Sequence, residues 1–382
     1  MRLITANTDF LIGRQSYPGF PILLWDDMRS CREVNQFYRY YLLRGAIGSS
    51  KSWASTGRAL YDYFSFLQAH ELIWNDVAAG AARSFIAAYR DYCFKVAGLA
   101  RSTVRSRLLY VCEFYAFAHR QSWIAELPFG YEGRTRRGHG GFLRHVQAGD
   151  SMQVRDVMPR LHKPAPKFLT QFEVQALLAT AANPHHRTLV RLALGTGMRK
   201  AELATFPRAY VFDPDLAGRP GRNIRVRLDP RDGHGIKTKG DKARDIYIER
   251  ALMKEMNHYA VLVRGFRASL TSHRHEPLLL NQSGEPFSAD GKSIDRIVRL
   301  IGERAGLQVW THLLRHTYAT HTLIALQRHR GSNRIEPLVF VQRQLGHASI
   351  QTTMIYLHLV TELADEAVLT YDAELDEEAQ VG

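Results

Sequence analysis

Between Tyr131 and Thr170 the chain stops reading as packed helix and becomes a basic, broken segment. Arg134, Arg136, Arg137, Arg144, Arg155, Arg160, Lys163 and Lys167 stand there against three acids, with Gly138, Gly140, Gly141, Pro159, Pro164 and Pro166 among them. Glycine and proline at that density interrupt any helical or strand period. A single core is not expected to run through such a segment, so the 382 residues are predicted to fold as two bodies on a basic connection. The predicted divisions are an N-terminal arm over 1–27, a helical domain over 28–130, the basic link over 131–166, a second domain over 167–360 and an acidic tail over 361–382. A link this positive can lie along a polyanion while the flanking domains grip it from opposite sides.

In the first body, Pro18, Gly19 and Pro21 predict an irregular arm, and four amphipathic helices follow it. The first spans about 28–44, with Val34, Phe37, Tyr38, Tyr41 and Leu42 at helical spacing. The second starts near Ser50 and aligns Trp53, Leu60, Phe64 and Leu67; the third, about 82–96, carries Phe85, Tyr89, Tyr92, Cys93 and Val96. The fourth begins at Ser102 and aligns Val104, Leu108, Val111, Tyr115 and Ala118. Such aromatic stripes read as core. Arg101, Arg105 and Arg107 fall off the last stripe, which makes them either phosphate contacts or a solvated face.

The second body opens on a capping box, Thr170-Gln-Phe-Glu173, which starts a helix through about Ala182. Another helix, about 186–194, halts at Gly195-Thr-Gly197. Alternation predicts strands at Asn223–Leu228 and Asp245–Ile248 around a Gly- and Lys-rich turn, and helices return from about 252. The fold class is therefore mainly α with a small β-sheet.

Charge narrows the partner. The formal net charge is +14, and the last 22 residues hold eight acids and no base, so residues 1–360 carry +22. A basic body of that size suits nucleic acid, because neutralising phosphates releases counterions. The apolar runs are too short for a membrane helix, and no signal-peptide core opens the chain. Three scattered cysteines, Cys31, Cys93 and Cys112, make neither a disulfide framework nor a thiolate zinc site. A soluble protein of a reducing compartment, the cytoplasm, is expected.

Several motifs fail on chemistry. Gly195-Thr-Gly197-Met-Arg-Lys200 lacks the third glycine of a dinucleotide loop and the spacing of a Walker loop. His312 and His316 stand at i, i+4, but Leu313 occupies the position where a zinc peptidase needs glutamate. No acidic cluster resembles a two-metal nuclease. Neither a metal nor another cofactor is expected.

What remains is an ordered set of short segments: Gly195-Thr-Gly-Met-Arg199-Lys-Ala-Glu202, then Lys237-Thr-Lys239-Gly240-Asp-Lys242-Ala-Arg244 on the turn between the strands. Thr311-His312-Leu-Leu-Arg315-His316 follows, and finally Leu345-Gly346-His347 through Thr352-Thr353-Met-Ile-Tyr356-Leu-His358. At these residues the chain closely resembles the tyrosine recombinase (phage integrase) family, whose pattern is an Arg, a hairpin Lys, His-x-x-Arg, a His and a Tyr nine residues after that His. Arg199, Lys239, His312, Arg315, His347 and Tyr356 match it in order. The resemblance covers most of the chain. It implies an N-terminal helical, SAM-like core-binding domain and a C-terminal mixed α+β catalytic domain. It also implies double-stranded DNA as partner, a homotetramer at synapsis and strand exchange through a 3′-phosphotyrosyl link and a Holliday junction.

The chemistry calls for these residue types in its own right. Two guanidiniums, Arg199 and Arg315, can clamp the non-bridging oxygens of a phosphodiester and stay charged. A phenol is only about 0.1% ionised at neutral pH, so Tyr356 needs a base or a cationic pocket, and His312 is the expected proton acceptor. Lys239 is expected to protonate the departing 5′ oxygen, with Lys237 and Lys242 as near competitors. His347 would hold the phosphate or position the nucleophile. Glu202 reads as structural, ordering Arg199, and His316 and His358 have no clear task. Tyr318 reads as packed inside a helix, and Tyr371, in the acidic tail, is a weaker alternative nucleophile. Arg101, Arg105, Arg107, Arg136, Arg137, Lys242 and Arg244 are the expected DNA contacts.

Departures from the family pattern lie in insertions around Asp213–Gly221, Asp229–Gly235 and Gln327–Pro337. The apolar Ala364, Ala367, Val368 and Leu369 among the tail acids suggest docking on a neighbouring subunit. A topoisomerase-like enzyme or a DNA-binding regulator with a vestigial site are the rival readings. Accessory proteins are not legible.

Overall fold

The computed structural model describes residues 1–44, 50–77, 84–135, 151–160, 166–328 and 336–357. The chain divides into two compact units, Met1–Lys163 and Pro164–Gly382.

In the first unit the predicted helices form as α1 (Arg32–Leu42), α2 (Lys51–Ala69), α3 (Phe85–Lys95) and α4 (Arg101–Arg120). Their stripes make the core: Val34, Phe37, Leu60, Tyr63, Leu108, Val111 and Tyr115 are wholly buried. Tyr63 and Tyr115 share a hydrogen bond of 2.8 Å, and Tyr115 donates to the Trp74 carbonyl at 2.9 Å, so both phenols enter the core with partners.

The irregular arm expected over 1–27 is instead part of this core. β1 (Arg2–Thr5) pairs antiparallel with β4 (Pro21–Leu24), and between them β2 (Leu11–Ile12) pairs with β3 (Gln15–Ser16). Pro21 takes the first place of its strand, where a missing N–H is tolerated. Asn35 of α1 then closes both backbone groups of Leu23, accepting from its N–H and donating to its carbonyl, each at 2.8 Å. Pro18 and Gly19 sit in a turn, but Pro21 enters a strand, and the long-range pairing is invisible locally.

The basic link is also partly structured. β5 (Tyr131–Thr135) pairs with β6 (Ser151–Arg155), and Val157 and Met158 bury in the first unit's core. Arg155 spends its charge internally, donating to Glu113 at 2.6 Å over the Phe129 ring. Arg136, Arg137 and the acidic tail lie outside the described residues.

The second unit begins with α5 (Gln171–Thr180), whose capping box forms as the sequence predicts: Glu173 N–H donates to Thr170 Oγ1, and Thr170 N–H donates to Glu173 Oε2. Asn183 caps α6 (Pro184–Thr196), and Gly197 ends it at φ +62°. α7 (Lys200–Ala204) follows at once. The hairpin of β7 (Asn223–Leu228) and β8 (Arg244–Glu249) buries Ile224, Val226, Leu228, Ile246 and Ile248 on one face. α8 (Arg250–Ala268), α9 (Lys292–Arg304), α10 (Thr311–Arg328) and α11 (Pro337–Leu345) complete the unit. In the insertion around 213–221, Asp215 pairs with Arg250 and Lys254 at the start of α8. No helix among the described residues is long and apolar enough to cross a membrane.

Candidate active site

Two turns that require glycine place the arginines. A Cβ at Gly197 would lie 2.5 Å from Tyr318 Cδ1 and 2.8 Å from Leu345 Cδ2, in a left-handed conformation that side chains avoid. This tight turn sets Arg199 at the head of α7. At the end of α11, Gly346 turns at φ +64°, and a Cβ there would meet Arg244 Cδ at 2.7 Å.

The end of α11 then gathers three guanidiniums on three successive carbonyls. Gln344 accepts from Arg244 Nε at 3.2 Å, Leu345 from Arg315 Nη2 at 2.7 Å, and Gly346 from Arg199 Nη2 at 3.3 Å. The last carbonyls of a helix lack partners within it and carry the negative end of its dipole, so cations belong there. Arg315 is 1% exposed and also donates Nη1 to the Gly197 carbonyl at 2.6 Å. Of the five donors on a guanidinium, Arg199 and Arg315 each keep some for a ligand.

Glu202 supplies the counter-charge. It is 1% exposed; Oε1 accepts from Arg244 Nη1 at 2.7 Å and Arg199 Nη1 at 3.2 Å, and Oε2 from Arg244 Nη2 and the Arg199 N–H, both at 2.8 Å. Burial by itself would raise its carboxyl, but the hydrogen bonds and charge of Arg244 and Arg199 outweigh that and hold it below the usual carboxylate range.

The three arginines line a cleft of about 640 Å³ with Lys239, Lys242, His312, His316, His347 and Tyr356. Lys239 opens a 3-10 turn over Lys239–Asp241 on the hairpin, and both lysines are exposed. The hairpin is tied to α11 by Gln344, whose side chain accepts from the Tyr247 N–H at 2.9 Å and donates to its carbonyl at 3.1 Å.

Tyr356 is 1% exposed, and its hydroxyl lies 2.8 Å from His316 Nδ1. The His347 ring lies nearly parallel to its ring at 6.5 Å, held by Thr353 Oγ1 at 2.9 Å from Nδ1. Burial pushes the phenol up to about 12, although Arg315 and Arg199 pull the other way. Burial and the same two cations push His347 down to about 3 and lower His312. His316 falls to about 4 through burial, His312 and Arg315. Arg315 itself drops to about 9 through burial beside Arg199, and so stays charged near neutrality. With all three imidazoles held below their ordinary 6.5, they are neutral at pH 7, and the arginines and lysines leave the cleft a surplus of positive charge that favours an anion.

All six residues singled out by the pattern thus line one cleft. In the sequence His316 has no clear task although it fits the family pattern; its i, i+4 spacing from His312 puts both rings on one helix face, 4.4 Å apart. Among the described residues no group of metal-ligating side chains assembles. Of the expected DNA contacts, Lys242 and Arg244 line the cleft and Arg101 is exposed at the start of α4. Arg105, Arg107 and Arg244 are engaged within their own units. Arg105 donates to the Pro159 carbonyl at 3.1 Å, Arg107 pairs with Asp62, and Arg244 holds Glu202.

Comparison with known proteins bears on this site directly. The sequence profile of the Phage integrase family matches residues 167–362. Tyrosine recombinase XerC of Bacillus subtilis (strain 168) is 28% identical over 72% of this chain and 76% of its own. Tyrosine recombinase XerA of Pyrococcus horikoshii is 29% identical over 71% of this chain and 88% of its own. A solved structure of the site-specific recombinase XerH, bound to its palindromic difH substrate after cleavage, shares the fold with a TM-score of 0.54. It is 17% identical and covers 89% of this chain and 84% of that one. The profile spans just over half of the sequence and takes in every residue of the cleft, and on that ground the chain belongs to the phage integrase family, the tyrosine recombinases.

Proposed function

We propose that this protein is a site-specific DNA recombinase that cuts and rejoins strands through a 3′-phosphotyrosyl intermediate. The observation that carries the reading is the Tyr356 phenol in one cleft with two guanidiniums, Arg199 and Arg315, each keeping donors for a phosphate. In the proposed reaction the guanidiniums hold the non-bridging oxygens and take up charge as it gathers on phosphorus. The Tyr356 oxygen bonds to phosphorus, and the bond to the 5′ oxygen breaks. Lys239, on its exposed turn, delivers a proton to that leaving oxygen. His347 hydrogen-bonds the phosphate. Attack by the 5′ hydroxyl of a partner strand reverses the step and frees the tyrosine. The phosphotyrosyl link conserves the energy of the broken diester, so ATP is not consumed, and the guanidiniums supply the positive charge that the step requires without a metal. Four subunits acting pairwise would carry exchange through a Holliday junction, for integration, excision or transposition.

The test uses nicked duplexes tiled from the DNA flanking the protein's own coding sequence, incubated in EDTA with wild type and Tyr356→Phe and resolved on a denaturing gel. An adduct with wild type alone is the expected result. Adducts that persist in the Phe variant would show a different nucleophile. Sequence-specific binding by both proteins without adducts would favour a regulator.

A further inference from the structure

Resting on the recombinase reading above, we infer that His316, not His312, takes the proton of the Tyr356 phenol as the nucleophile attacks. A general base must lie within hydrogen-bond reach of the proton it removes, and geometry decides before acidity does. His316 Nδ1 is 2.8 Å from the phenol oxygen and is its hydrogen-bond partner among the described residues; no such bond joins His312 to Tyr356. Direction follows from cost. Were Nδ1–H the donor, the phenol O–H would be left buried without an acceptor, which is worse than an unused oxygen lone pair. The phenol therefore donates and Nδ1 accepts, which places the imidazole proton on Nε2.

The surroundings keep His316 in its accepting form. His312 and Arg315 flank it on α10, and Arg199, His347 and the cationic hairpin residues Lys239, Lys242 and Arg244 line the same cleft. With the ring half-buried among these groups, the neutral imidazole is held well past any physiological acidity. A phosphodiester entering the cleft brings negative charge against the same cations and makes the imidazolium less costly at the moment it must form. The step balances: the phenol O–H bond breaks as its oxygen bonds to phosphorus, the proton passes to Nδ1, and the electron pair of the broken P–O bond leaves on the 5′ oxygen. Religation returns the proton from Nδ1 to the phenol.

Two variants separate base from prop. His316→Phe keeps a ring of similar size without a proton acceptor, and His316→Gln keeps an acceptor without basicity. Both are assayed with the duplex that gives wild-type adducts, carrying sulfur at the scissile 5′ bridging position so that departure needs no proton. Wild type is expected to cleave at a rate level between pH 6 and pH 8, below the range where Arg315 loses charge. Both variants should fall by about a hundredfold or more at pH 7 and regain close to tenfold per pH unit, because the phenol must then ionise unaided. Unchanged melting and duplex binding would confirm that both variants are folded. Wild-type rates in His316→Phe would overturn the assignment. So would a uniform loss across pH, or His316→Gln at near wild-type rates, since each marks a positioning role alone. A DNA-free arm records histidine nitrogen resonances of the 15N-labelled full chain with and without Tyr356→Phe. A large displacement at His316 Nδ1 is expected, and no displacement refutes the bond. Absence of any wild-type adduct would count against the recombinase reading itself, leaving the histidine spectrum to judge the phenol contact separately.

Discussion

Replacing Glu202 with Gln tests whether one carboxylate holds the arginine cluster together. The side chain is 1% exposed and accepts four hydrogen bonds, two on each oxygen, from Arg199 and Arg244. The amide of Glu202→Gln turns one oxygen into a donor. Whichever way it flips, two of the four N–H groups then face another N–H. It also leaves Arg199, Arg244 and the buried Arg315 without their counter-charge. Removing one partner of a buried pair costs about 3–5 kcal/mol. For a unit of this size that is a fall of roughly 6–20 °C in melting temperature. Calorimetry at pH 7 should show the loss in the second unit's transition and leave the first unit's in place. The sign of the pH dependence follows from the depressed carboxyl. A group with a lowered folded-state pKa contributes its stability above its unfolded value, near 4.3, and loses it as pH falls through the folded value. Wild type and Glu202→Gln should therefore converge in acid, because wild type loses what the variant never had. A pH 7 difference below about 1 kcal/mol, the size of an exposed pair, would refute the argument. So would a difference that did not shrink on acidification.

Gly197→Ala should lower the second unit's melting by at least about 2 °C, since the left-handed turn alone costs about 1–2 kcal/mol for a residue with a Cβ and that atom would press on Tyr318 and Leu345. Differential scanning calorimetry reads this, and an unchanged transition would show that the turn can relax. Leu108→Ala, at a wholly buried position of α4, should cost about 2–5 kcal/mol in the first unit's transition without moving the second's; a shared shift would show that the two unfold together. Lys239→Ala should slow adduct formation on an ordinary duplex by about a hundredfold or more and have little effect when sulfur replaces the 5′ bridging oxygen. Equal loss on both duplexes would remove Lys239 from proton delivery.

What could be read from sequence was what is encoded locally or in fixed order. The Thr170–Glu173 box, the stop at Gly197 and the alternation of Asn223–Leu228 each declare themselves within a few residues, and each forms. The six cleft residues were legible because a known order links them, although the chain between them is long. Contacts that depend on distant partners were not legible. Nothing near Leu23 announces that Asn35 will satisfy its backbone, so strands were read as an irregular arm. Arg105, Arg107, Arg155 and Arg244 look alike as bare charges. Only the fold shows that a carbonyl, Asp62, Glu113 and Glu202 have claimed them. His316 fits the pattern but shows no task in the sequence, because its partner stands 40 residues away.

The burial of Tyr356 has a consequence for what the resting protein does not do. In the proposed reaction this phenol severs a DNA strand, yet at rest it is 1% exposed, with its hydroxyl engaged and its face toward the His347 ring. At that exposure the phenol offers little surface to the nitrating, sulfating and acylating agents that attack surface tyrosines, and its raised pKa keeps the reactive phenolate scarce. Packing thus protects the group from dissolved electrophiles before any base pair is read, so that selectivity begins with access and DNA sequence refines it.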